Sequence, residues 1–134
     1  MSEKNLMIII PGVNSESGLT LCRGDLQIYL HSLRLFVTNM PAVVARMRDI
    51  TENNLKIYRT CAHSLKGMCD YIGAEEIRIT AKQLEDMAAA GDLNGILERN
   101  ENLILQTEKV IGNIQIWLDN NKDYVDRITE RNNG

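Results

Sequence analysis

Aromatic side chains make up only 4% of the 134 residues, and there are just two prolines. Aromatic strand formers and the strongest helix breaker are thus scarce. Leu, Ile, Ala, Glu and Lys fill long stretches without turn signals, so helix is favoured over sheet. Cysteine is sparse and odd in number, and Cys22, Cys61 and Cys69 all lie within apolar patterns. That argues against a disulfide framework and for reduced thiols packed inside a cytoplasmic protein. Excess charge of one sign is missing too. A net charge of -3 is too small, and of the wrong sign, to neutralise nucleic-acid phosphates or coat an anionic membrane. No apolar run is long enough to cross a bilayer. The densest one near the N-terminus, Leu6 to Ile10, stops at Pro11, with no charged leader or small-residue cleavage site around it. A glycine-rich nucleotide loop is absent as well, so ATP is not expected to be a direct substrate.

What is present reads as one ordinary globular domain, 44% hydrophobic and 25% charged. A chain of this length buries roughly two-thirds of the surface its unfolded form exposes. Residues 1–17 read as an extended lead-in that packs onto the rest, with Pro11-Gly12-Val13-Asn14-Ser15 as a turn-prone stretch. From Asp25, a plausible cap, the positions Leu26, Tyr29, Leu30, Leu33, Phe36, Val37 and Met40 form the apolar stripe of an amphipathic helix. Pro41 lacks a backbone N–H, yet Val44, Met47 and Ile50 keep the helical period behind it, so a kink or a break is expected there.

Thr51-Glu52-Asn53-Asn54 supplies the next start signal, and Leu55, Tyr58, Ala62, Leu65, Cys69 and Ile72 follow at steps of three and four until Gly73 caps the helix. Another helix is expected over Glu75 to Ala90, ended by Gly91, with Glu75 and Glu76 at its positive end. The longest begins after Asp92 and carries an apolar series from Leu93 to Leu118. Connections this short force sequential helices to run antiparallel, which gives an all-α, up-and-down four-helix bundle over residues 18–121. The polar tail 122–134 either prolongs the last helix or frays.

Chemistry concentrates on the helix before Gly73. His63, Lys66, Gly67 and Asp70 fall at i, i+3, i+4 and i+7, a single stripe one position round from the core stripe. A helical glycine costs about 1 kcal/mol relative to alanine, so Gly67 demands a packing or docking reason. A metal site from Cys61, His63 and Cys69 is unattractive, because those spacings project to different sides of a helix. His31 lies off the apolar stripe of its helix and reads as an ordinary surface residue.

His63-Ser64-Leu65-Lys66-Gly67, followed by Ile72-Gly73-Ala74, resembles the phosphorylation motif of histidine-containing phosphotransfer domains. Gly18-Leu19, Gly24-Asp25, Tyr29, Leu33 and Phe36 resemble that family's first bundle helix, and Ala88 to Leu93 its last interhelical turn. The resemblance implies a phosphorelay intermediate. His63 would accept a phosphoryl group from a receiver-domain aspartate or from a sensor histidine kinase and pass it to another receiver. It also implies a monomeric phosphocarrier with no cofactor of its own, the magnesium ion arriving with the receiver.

Within that picture Lys66 would offset phosphoryl charge and Gly67 would leave room for the receiver. Glu85, 22 positions past the histidine, would orient the imidazole. Met68 and Cys69 depart from the small residues usual after Gly67. Asp70 adds negative charge, either to select a receiver with a complementary cation or simply as a solvated group. The patch Leu26, Tyr29, Leu30 and Phe36 is either pure core or partly a receiver-docking surface. Two rival readings remain: a scaffold bundle with a vestigial histidine, and the phosphoacceptor hairpin of a histidine kinase, where an acid would stand in place of Ser64. The chain is expected to be either a free-standing shuttle or the terminal piece of a hybrid kinase.

Overall fold

The computed structural model describes residues 8–130. The expectations placed on the polar start, on Leu6 and Met7 and on residues 131–134 lie outside the described residues. Within them the chain forms six α-helices, built where the sequence punctuates itself. Asp25 opens α2, Leu26–Arg46, by accepting a hydrogen bond from the Ile28 amide. The helix runs unbroken through Pro41, so the break considered above does not occur. Proline removes one backbone bond, and buried Met40 and Val44 hold the flanking turns on the core.

Thr51 caps a 3-10 turn, Glu52–Asn54, and its own amide donates to the Asn54 side chain at 2.7 Å. That turn leads straight into α3, Leu55–Ile72. Gly73 ends α3 in the left-handed region, at φ 87°, where the amides of Gly73 and Ala74 both donate to the Cys69 carbonyl. Next come α4, Glu75–Ala89, and the longest helix, α5, Leu93–Asn120, whose cap Asp92 accepts from the Gly95 amide.

α2 packs on α3 and on α5, α3 on α4, and α4 on α5, which closes a helical bundle around one core. Tyr29, Phe36, Tyr58, Leu65, Leu84 and Leu103 are fully buried there. The buried hydroxyls are satisfied: Tyr29 donates to the Ile72 carbonyl at 2.8 Å and Tyr58 to the Asn100 side chain at 2.7 Å. Asn100 in turn donates to the Met47 carbonyl. Cys22, Cys61 and Cys69 are free and buried, and burial pushes all three thiols up from their ordinary value.

The two ends differ from expectation. The lead-in does pack on the bundle, burying Ile8 and Ile10, but it is not extended throughout. Asn14 accepts from the Ser17 amide and starts α1, Ser15–Leu21. Gly18 in α1 is pressed against Tyr29 and the Ile72 backbone, where a Cβ would meet both under 3 Å. At the other end Asn121 interrupts the helix and α6, Lys122–Thr129, turns back onto α2. It buries Val125 and Ile128, and Arg34 donates to Asp126 and to the Thr129 hydroxyl. Among the described residues no helix is long and apolar enough to cross a membrane.

Candidate functional site

The core stripe of α3 fixes where its other residues point. With Ala62, Leu65, Cys69 and Ile72 turned inward and fully buried, helical periodicity sends His63 outward. Its side chain is 65% exposed. Glu85 projects from α4 beside it and is only 13% exposed. One oxygen of Glu85, Oε2, lies 2.8 Å from His63 Nδ1, while the other, Oε1, accepts from Lys66 Nζ at 2.8 Å. A single carboxylate therefore ties together the two α3 side chains one turn apart.

Burial alone would raise the Glu85 carboxyl. Hydrogen bonds from Lys66 and His63, together with their charges, outweigh that and hold it below its ordinary value. An ionised carboxylate can only accept, so the Nδ1–H of His63 donates to it. In the neutral ring the lone pair is then on Nε2, the nitrogen that has no hydrogen bond among the described residues. Three of the residues singled out in sequence thus form one connected group.

Gly67, the fourth, has no side chain to join that group. A Cβ built on it meets nothing within 4 Å, so no contact inside the chain requires glycine there. Asp70 is paired across to α4, with Arg78 Nε at 3.3 Å, and is not simply solvated. Of the two residues that depart from the small-residue pattern, Cys69 is core and Met68 is half-buried.

Tyr29, Leu30 and Phe36 are core and Leu26 is half-buried against it. Exposed apolar side chains at the α2–α3 face are different ones and include Ile28 and Leu35 on α2 and Tyr71 on α3. With His31, Met68 and Thr129 they line an open groove. Sequence reading missed this strip because its members sit one position off the core stripe, where solvent exposure depends on neighbouring helices. His31 stands in the groove wall and takes no part in the His63 network.

A family model for the Hpt domain matches residues 31–126. The chain belongs to the Hpt domain family. Hpt domains are helical bundles that serve histidine phosphotransfer in phosphorelays as phosphocarriers, working with receiver domains and kinases. Searches of curated proteins and of solved structures give no significant match. The Hpt match runs into α6, beyond the end of α5.

Proposed function

We propose that this Hpt domain carries a phosphoryl group on Nε2 of His63, taking it from the phosphoaspartate of a receiver domain, or from a sensor kinase, and handing it to another receiver. The observation that carries the reading is the exposed imidazole whose Nδ1 is held at 2.8 Å by the carboxylate of Glu85. That contact orients the ring, leaves Nε2 as the nucleophile and stabilises the positive charge the ring acquires as the N–P bond forms. Lys66 stands beside the same carboxylate and supports its ionised form, and its remaining N–H groups can face phosphoryl oxygens. The open space at Gly67 lets a receiver surface approach the ring closely.

Little else is asked of this chain. Phosphoryl transfer rests on in-line positioning and charge stabilisation, and the aspartate and magnesium ion come with the receiver. A rigid platform suffices, which α2 to α5 supply when read as an antiparallel up-and-down four-helix bundle. Free thiols and the absence of strong surface charge suit a cytoplasmic setting. The exposed strip Ile28, Leu35 and Tyr71 offers apolar contact area for the receiver.

The deciding experiment incubates the protein with a phosphorylated receiver and magnesium, then measures acid-labile, alkali-stable phosphate. Wild type is expected to be labelled and His63→Gln to remain blank. Equal label on both would place the phosphoryl group on another residue. Absence of label on both, across a panel of receivers, would leave a scaffold that binds receivers without transfer.

A further inference from the structure

We propose that Arg59 is a second phosphoryl-contacting residue, the cation that meets the phosphoryl oxygens once they are on His63. This rests on the reading of His63 given above. When the group arrives, the P–O bond to the receiver's aspartate breaks and its electron pair leaves with the carboxylate. The Nε2 lone pair becomes the N–P bond, and the ring keeps its Nδ1–H and becomes positively charged.

The charges around the ring do not balance after that step. Before it, Lys66 and Glu85 offset one another, and an imidazole that attacks through its Nε2 lone pair carries no charge. Afterwards a dianionic phosphoryl group is added against one new positive charge on the ring, so the cluster is left with net negative charge. Lys66 cannot neutralise it alone, because its ammonium is already bonded to Glu85. On the side toward the C-terminus of α3 and on α4, the other nearby cations are also engaged, Arg78 with Asp70 and Lys82 with Asp86.

Arg59 lies one turn before His63 on the exposed face of α3 and has no ion pair or side-chain hydrogen bond among the described residues. Residues four apart stand about 6 Å apart along the helix axis with Cβ atoms about 5–6 Å apart, within reach of a long guanidinium side chain. Its planar fork suits phosphate oxygens in a way an ammonium does not. Lys56, two turns from His63, is the next exposed cation on that side and serves as the comparison position.

The test uses the full chain. Wild type, Arg59→Ala, Arg59→Lys and Lys56→Ala are phosphorylated by a receiver and magnesium, and the phosphohistidine is followed by phosphorus NMR across a pH titration. The transfer equilibrium with the receiver is measured alongside. Arg59→Ala is expected to raise the second phosphoryl ionisation by about half a pH unit and to lower the phosphohistidine share of the equilibrium about three-fold, the size of a partly exposed charge contact. Both effects should shrink in high salt. Arg59→Lys should recover part of the ionisation shift, and Lys56→Ala should show less than either. A wild-type-like titration and equilibrium in Arg59→Ala would overturn the proposal, as would the larger effect falling on Lys56→Ala. Unlabelled wild type would instead overturn the assignment of His63.

Discussion

Glu85 is the residue on which the site turns, since both of its oxygens are used and it is nearly enclosed. Glutamine there keeps an acceptor but removes the charge, and a charge-assisted hydrogen bond is roughly twice as strong as a neutral one. Phosphoryl transfer from a receiver to Glu85→Gln is therefore expected to be about ten-fold slower than to wild type, a difference of about 1.4 kcal/mol, measured by single-turnover labelling. The same group makes a pH prediction. Its carboxyl is held below the ordinary 4.5, so its contribution to stability is complete above that value and is lost as pH falls through the lower folded value. Denaturant titrations below pH 4.5 should show a shallower acid loss in Glu85→Gln. Gly67 separates stability from activity. With open space around its Cβ position, Gly67→Ala should stabilise the fold by up to about 1 kcal/mol while slowing transfer from a receiver. Wild-type transfer rates in that variant would show that the site does not need the clearance.

Among the helices, α3 does two jobs at once, and its C-terminal cap shows how closely they are linked. Gly73 sits at φ 87°, its carbonyl accepts from the Asn14 amide at 2.8 Å, and a Cβ there would fall 1.9 Å from the Asn14 carbonyl oxygen. Gly73→Ala is expected to cost about 2 kcal/mol or more, since it adds left-handed strain to a backbone clash, and to loosen α1 and the lead-in with it. Chemical denaturation would measure the loss. At the other end, α6 is short, amphipathic and anchored by Val125, Ile128 and the bonds from Arg34. Ile128→Ala should cost about 2 kcal/mol if α6 unfolds together with the bundle. Hydrogen exchange would show α6 opening first if it detaches on its own.

For the molecule as a whole, the interior is well satisfied and sealed. No buried side-chain nitrogen or oxygen among the described residues lacks a hydrogen-bond partner, and all three thiols are buried with raised pKa values. Native protein at neutral pH should react slowly with a thiol reagent, and all three cysteines should become reactive only on unfolding. Fast titration of any one in native buffer would reveal local opening. The charged contacts from α3 to α4 and the apolar groove between α2 and α3 flank α3 with unlike surfaces, set by which helix packs against which side of it.

Local chemistry was legible in the sequence wherever one segment decides its own state. Apolar periodicity located the core helices, Asp25, Asp92 and Gly73 marked their ends, and the placement of His63, Lys66 and Gly67 along one face followed from their spacing on one helix. Even the Glu85 contact was anticipated, though only through resemblance, because no local rule links residues 22 apart on different helices. Tertiary structure alone decided the rest. Asn14 turned part of the lead-in into α1 because Gly18 could seat against Tyr29. Residues 122–129 became a packed helix because Arg34, Val125 and Ile128 meet across the chain. Lys66 and Asp70 acquired partners, while Arg59 has none among the described residues. The physical reason is common to all of them: burial and ion pairing depend on the relative placement of whole helices, which a periodic pattern within each helix does not specify.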